Sequence, residues 1–151
     1  RIGIGSDAHK FDSSTDFWKQ CHPAAPHCVL IDEAQFLSPD QVRQLARLVD
    51  EVNIPVMGYG LRTDFRGELF EGTKRLLEVA DERIPMQVEA RCWCGARATH
   101  NARVVNGEIV YEGETVVVGD TEDSTDQPLF GDQVRYELLC RAHYRAGELG
   151  S

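Results

Sequence analysis

No segment of this 151-residue chain is long and apolar enough to read as a transmembrane helix. The longest apolar runs, Cys28-Val-Leu-Ile31 and Val116-Val-Val118, are strand-sized. A basic start followed by an apolar stretch is also missing, so no signal peptide is read and the cytoplasm is the expected location. Basic residues are scarce: 16 Lys and Arg face 25 Asp and Glu, a formal net charge of −9. Gripping nucleic acid takes clustered Lys and Arg that displace counterions from phosphates, so that role is excluded as the main work. A single nucleoside or nucleotide remains open, because it needs only a few placed residues. The five cysteines are odd in number and lack a secretory signal, which argues against a disulfide framework. No Gly-x₄-Gly-Lys-Ser/Thr phosphate loop is present either. Gly3-Ile-Gly5-Ser-Asp-Ala-His-Lys10 has glycines and a lysine, but at the wrong spacing and with no strand before it.

What is there suits one ordinary domain, or two small ones sharing a surface. Cys28-Val-Leu-Ile31 reads as a strand buried on both faces of a parallel sheet, after a polar stretch with a short helix near residues 16–20. A helix follows with clear start signals: Ser38 caps, Pro39 fits the first helical position, and Gln41 completes a Ser-x-x-Gln capping box. Val42, Leu45, Ala46, Val49 and Val52 recur at helical spacing, and Asn53-Ile-Pro55 ends the run. Residues 56–60 read as a second short strand, completing a strand–helix–strand unit with a right-handed crossover. Residues 61–71 are a polar loop. Residues 73–81 read as a helix burying Leu76, Leu77, Val79 and Ala80, and residues 85–89 as a further strand.

From Arg91 the helical period disappears for about forty residues. Val104-Val-Asn-Gly-Glu-Ile-Val110 is a hairpin sequence whose Asn106-Gly107 suits a type I′ turn. Residues 115–118 read as another strand and residues 119–133 as a flexible loop rich in Asp, Ser, Thr, Gly and Pro. Order returns over residues 135–144. The domain boundary is placed near Glu89, giving an α/β core over 1–89 and a β-rich lobe over 90–151.

Two groups of residues carry chemistry. Asp32 and Glu33 stand at the C-terminal end of the first strand, where parallel sheets bind ligands. An acid there holds Mg²⁺ in phosphate-loop proteins, and its neighbour can take a proton or orient water. The alternative is two solvated acids capping the next helix, but Ser38 already fills that role. On this motif alone a DExx-type ATPase fits as well as a kinase. The second group is Cys92, Cys94, Cys140 and His143, two close pairs of the kind that give zinc a Cys₃His tetrahedron. Their alternative reading is reduced structural cysteines. A metal would stand in for the core that a small β-rich lobe lacks.

The longer match narrows these readings. Cys28-Val-Leu-Ile-Asp-Glu-Ala-Gln-Phe-Leu37, then Ile54-Pro-Val-Met-Gly-Tyr-Gly-Leu-Arg-Thr-Asp-Phe-Arg-Gly-Glu-Leu-Phe-Glu-Gly72, then Cys94-Gly-Ala-Arg-Ala-Thr99 and Cys140-Arg-Ala-His143 closely resemble bacterial type II thymidine kinases. The resemblance covers nearly everything from Pro26 to Tyr144, whereas helicases share only the short acidic motif. It implies a P-loop, RecA-like parallel-sheet core whose N-terminal phosphate loop precedes Arg1, plus a small zinc-binding lasso domain. The chain is therefore expected to be part of something longer, and on its own not to bind ATP productively. The implied activity is transfer of the ATP γ-phosphate to the thymidine 5′-hydroxyl in nucleotide salvage, with deoxyuridine as a further acceptor. Glu33 would be the general base and Asp32 would act on the Mg²⁺ side. Phe36, Leu61, Phe65 and Phe70 would help line the thymidine pocket, and Asn101 would lie near the base. Val116, Val117, Val118 and Gly119 would bind the base through their backbone, with Tyr136 contacting the nucleoside. The resemblance also implies structural Zn²⁺, dTTP as feedback inhibitor and a homotetramer. Two departures stand out. The family more often shows Cys-x₂-Cys, which would put the first ligand at Arg91, and residues 124–133 read as an insertion in the lasso. A non-catalytic zinc module on an α/β scaffold is the remaining alternative.

Overall fold

The computed structural model describes residues 7–86, 90–113 and 134–150. Two compact units divide the chain, one formed by residues 1–61 and 71–81, the other by residues 62–70 and 82–151.

In the first unit, Asp16 caps helix α1 (Phe17–Ala24) by accepting from the Lys19 amide at 2.9 Å. The helix runs four residues beyond the expected Gln20, passing through Pro23 to a left-handed Ala25 whose amide donates to the Cys21 carbonyl. Strand β1 (Val29–Ile31) leads into a one-turn 3₁₀ helix (Ala34–Phe36), then helix α2 (Pro39–Val52). The capping box forms as the sequence predicts: the Ser38 hydroxyl accepts from the Gln41 amide, and the Gln41 side chain accepts from the Ser38 amide. Asn53 closes α2 in the left-handed region. The buried face of α2 is centred on Gln41, Val42, Leu45 and Leu48, whereas Ala46 and Val49 are only partly covered. Leu48 is fully buried, worth about 1.5–3 kcal/mol of transfer free energy. Gln41 accompanies it inward because its side-chain amide also donates to the Asp12 and Thr15 carbonyls.

Strand β2 (Val56–Gly58) pairs with β1 in parallel, with Val29 opposite Val56 and Ile31 opposite Gly58. The parallel strand–helix–strand unit is thus present. The expectation that β1 is buried on both faces is not met among the described residues. Ile31 faces the core, while Leu30, pointing the other way on the period-2 pleat, is 65 % exposed. Helix α3 (Glu71–Val79) begins two residues earlier than predicted. Leu76 packs on the core formed by Phe17, Ile31, Ala34, Leu37, Val42, Leu45, Leu48 and Ile54, but Leu77 and Val79 are exposed. Gly72 decides this start: a Cβ there would fall 2.5 Å from the Leu37 carbonyl oxygen and 2.6 Å from that of Gln35. Residues 85 and 86 belong to no strand, and 87–89 lie outside the described residues.

The second unit holds a three-stranded antiparallel sheet ordered β4-β3-β5, from β3 (His100–Val105), β4 (Glu108–Val110) and β5 (Val134–Leu139). Asn106 at φ 52° and Gly107 at φ 88° make the predicted hairpin turn, both residues left-handed as a type I′ turn requires. Helix α4 (Arg141–Ala146) follows β5 and ends at Gly147. Cys92, Ala102, Leu139, Cys140 and Tyr144 form this unit's core. The expected strand over 115–118 and loop over 119–133 lie outside the described residues. No helix among the described residues is long and apolar enough to cross a membrane.

Candidate functional site

The acidic turn sits where β1 ends. Tyr59 at the end of β2 brackets it: its amide donates to the Ile31 carbonyl, and its carbonyl accepts from the Ala34 amide, both at 2.8 Å. The chain between those anchors must turn sharply, and Glu33 takes a left-handed backbone, φ 53° and ψ 37°, uncommon for a residue with a Cβ. The Asp32 carboxylate accepts from the Glu33 amide at 2.9 Å, which helps hold that turn. Both acids are exposed.

Gln35, with 3 % of its surface exposed, ties the turn to the loop after β2. Its side-chain amide nitrogen donates to the Glu33 carboxylate, and its amide oxygen accepts from the Leu61 amide at 3.0 Å. Gly60 makes this approach feasible, because a Cβ there would collide with the Gln35 side-chain oxygen and lie 2.9 Å from its backbone nitrogen. Sequence reasoning passed over Gln35. The signal was a polar residue inside an apolar-flanked motif, whose burial demands two partners.

The predicted substrate-binding residues divide between the units. Phe36 and Leu61 belong to the first and are exposed, with Leu61 held at its amide by Gln35. Phe65, Phe70, Asn101 and Tyr136 belong to the second. Phe65 is only 4 % exposed and its carbonyl accepts from the Tyr144 hydroxyl at 2.7 Å. Asn101 is half-buried on β3, and Tyr136 is exposed on β5, opposite Arg103. Val116, Val117, Val118 and Gly119 lie outside the described residues. A further organiser that the sequence reading missed is Asp64. It is buried, and its carboxylate accepts from the Arg66 and Glu68 amides at 2.9 and 3.0 Å and from the Arg66 guanidinium at 2.7 Å. An Asp accepting from the amides two and four residues on is the turn chemistry that Asp-x-x-Gly suggests.

In the second unit Cys92, Cys94, Cys140 and His143 converge, each ligand atom within 4.8 Å of the others. The Cys94 and Cys140 sulfurs are 4.0 Å apart, and His143 Nδ1 is 3.3 Å from the Cys92 sulfur and 3.6 Å from that of Cys140. A zinc tetrahedron with bonds of about 2.0–2.3 Å has edges of roughly 3.5–3.8 Å, so the four residues fit a zinc ion. The Cys-x-Cys spacing works because residues 91–97 form a tight knuckle. The Cys92 amide donates to the Ala96 carbonyl, the Gly95 amide returns to the Cys92 carbonyl, and Gly95 sits at φ 84°. Arg91, where the commoner spacing would put a ligand, instead donates to the Gly95 carbonyl.

Burial pushes the Cys92 thiol up, but the Cys140 and Cys94 backbone amides and the His143 side chain outweigh it and bring it down to about 6. A thiol so poised is readily deprotonated for a metal. His143 Nε2 points the other way, 3.6 Å from the Glu148 carboxylate, the arrangement that fixes a ligating imidazole. Trp93 stacks on the same ring at 4.1 Å.

A family model described as "Thymidine kinase" matches residues 1–144. A thymidine kinase of Streptomyces coelicolor is 56 % identical over 150 residues, covering 96 % of this chain and 67 % of that protein. One from Streptomyces avermitilis is 56 % identical over 117 residues, 78 % of this chain and 51 % of the relative. One from Novosphingobium aromaticivorans is 48 % identical over 148 residues, 95 % of this chain and 70 % of the relative. The chain thus spans between 51 % and 70 % of the length of these three relatives.

Proposed function

The chain belongs to the thymidine kinase family, and from that premise we propose that the whole protein phosphorylates thymidine at its 5′-hydroxyl at the expense of ATP. In this reading residues 1–89 contribute part of a P-loop, RecA-like core. The observation that carries it is the acidic turn: two adjacent carboxylates at the C-terminal end of a parallel strand, the second held by Gln35 in a left-handed backbone.

Glu33 removes the proton from the 5′-hydroxyl as its oxygen attacks the γ-phosphorus. The bond from that phosphorus to the β–γ bridging oxygen breaks, and ADP leaves. Gln35 aims the base by fixing one carboxylate oxygen, leaving the other for the substrate. Asp32 serves the Mg²⁺ side, where the ion would neutralise charge on the phosphates. Phe36, Leu61, Phe65 and Phe70 contribute apolar walls suited to thymine and its methyl group, with Asn101, Tyr136 and the backbone of 116–119 completing recognition. Phe65 acts chiefly as an anchor, since it is buried and bonded through its carbonyl. Cys92, Cys94, Cys140 and His143 hold structural zinc. The family resemblance further supports dTTP as feedback inhibitor, a homotetramer and a cytoplasmic setting.

The test is phosphorylation of thymidine by the whole protein carrying Glu33→Gln. The amide keeps size and hydrogen-bonding capacity but cannot accept the proton. Turnover should fall by about 10²–10⁴-fold while thymidine affinity stays within a few fold. Near-normal turnover would remove Glu33 from this role.

A further inference from the structure

The second unit carries a groove of about 650 Å³ lined by Arg62, Arg97, Thr99, His100, Arg141 and Arg145. Arg62 comes from the segment after residue 61, Arg97 and Thr99 from the chain entering β3, and His100 from its first position. Arg141 and Arg145 lie one turn apart on α4. All four arginines are exposed. Arg43, Arg47, Arg66, Arg75 and Arg135 each reach a carboxylate within 3 Å. Among the described residues, none of the four groove arginines has a carboxylate partner. Acids outnumber bases in this chain 25 to 16, so four guanidinium groups around one groove with no carboxylate partner among the described residues are not what scattered charge would produce. Like charges at i and i+4, as Arg141 and Arg145 are, also disfavour the helix that carries them.

Two of these cations act on His100. His100 is held below its ordinary proton affinity, first by burial, then by the positive charges of Arg62 and Arg141. Its ring is fixed, stacked on Tyr144 at 4.2 Å with Nδ1 2.9 Å from the Thr99 hydroxyl. The groove therefore presents a rigid wall with polar groups, ringed by forked cationic donors.

We propose that this groove binds the phosphate chain of a small polyphosphate, a diphosphate or triphosphate. Planar guanidinium forks match phosphate oxygens in pairs. A single phosphate would engage two forks and leave the others facing each other, whereas two or three linked phosphates can take all four. The anionic chain can come from an inorganic polyphosphate or from a nucleotide. The groove shares no residue with the acidic turn, and the proposal stands whether or not Glu33 is the base.

Calorimetric titration of the whole protein, with thymidine, ADP and Mg²⁺ saturating, tests it with inorganic pyrophosphate, tripolyphosphate and dTTP. One added anion per chain is expected, with affinity falling as salt rises. Arg97→Gln with Arg145→Gln should weaken it by about tenfold or more, since each loses a charge-assisted contact. Arg135→Gln, whose arginine is paired to Glu137 outside the groove, should leave it unchanged. The groove variants should keep the parent melting temperature, because both side chains are exposed. Equal affinity for dTTP and tripolyphosphate assigns the site to the phosphate chain alone, and tighter dTTP binding assigns it to a nucleotide. No binding beyond the saturated site, or equal loss in Arg135→Gln, overturns the proposal.

Discussion

Replacing Gln35 by Leu separates the stability of the acidic turn from its chemistry. Leucine is apolar and of similar bulk, so the buried position stays filled, while two hydrogen bonds vanish. The Leu61 amide loses its acceptor at 3.0 Å in a part-buried bond, and losing such a hydrogen bond costs about 0.5–1.5 kcal/mol. The Glu33 carboxylate loses its donor too, but it is exposed and water replaces most of that bond, so this part adds less than about 1 kcal/mol. The expected sum is roughly 1–2 kcal/mol, read as a lower urea midpoint with an unchanged slope. Thymidine turnover should fall as well, because Glu33 is no longer aimed, with the thymidine KM changing much less than kcat. Gln35→Glu sharpens the comparison by setting a second carboxyl against Glu33. Such a pair is tolerated only while a proton lies between them, so the introduced carboxyl titrates higher in the folded chain than in the unfolded one. Its deficit should therefore be largest at neutral pH and should shrink as pH falls through the raised folded value toward the ordinary carboxyl range. A Gln35→Leu protein within about 0.5 kcal/mol of the parent and with parental kcat would refute the reasoning.

Other outcomes follow from the same structure. Metal analysis of freshly purified protein should find about one zinc per chain. Cys140→Ser should lower that content and the melting temperature, and protein prepared without chelator that holds no zinc would overturn the site. Gly72→Ala should cost more than about 2 kcal/mol in urea unfolding, since its Cβ meets backbone carbonyls at 2.5 and 2.6 Å that no rotamer can move aside. Folded His100 binds its proton less readily than unfolded His100, because of burial and then Arg62 and Arg141. It therefore contributes stability that is present above about pH 6.5 and lost as pH falls through its lower folded value. His100→Phe keeps the stacking on Tyr144 and should flatten the fall in melting temperature between about pH 7 and pH 5, and an unchanged slope would count against this account.

Local signals were the legible ones. The capping box at Ser38 and Gln41, the Asn53 stop and the Asn106-Gly107 turn depend on neighbours a few residues away, and each forms as read. The four cysteine and histidine positions could be named from spacing, but their convergence needed the knuckle at residues 91–97, which Gly95 permits and no spacing rule states. Burial was harder to read. Leu77 and Val79 sit at apolar spacing on α3 yet face outward, because Gly72 must lie against the 3₁₀ turn and so fixes the rotation of the helix. Gln35 and Asp64 were missed because polar residues look like surface until their partners, distant in sequence or folded back locally, are known.

The arrangement of the Cys/His cluster bears on which lengths this lobe can tolerate. Cys92 and Cys94 hold one end of the β-rich segment and Cys140 and His143 the other, and β3 and β5 run side by side between them from His100–Leu139 to Val105–Val134. The chain leaving β4 at Val110 and rejoining β5 at Val134 therefore has both ends fixed independently of its own length. Closing a loop between fixed ends costs only about 0.6 kcal/mol for each doubling of its length. Residues can be gained or lost between those strands without loosening the clasp. A lobe built this way can change the length of that connection while its fold stays the same.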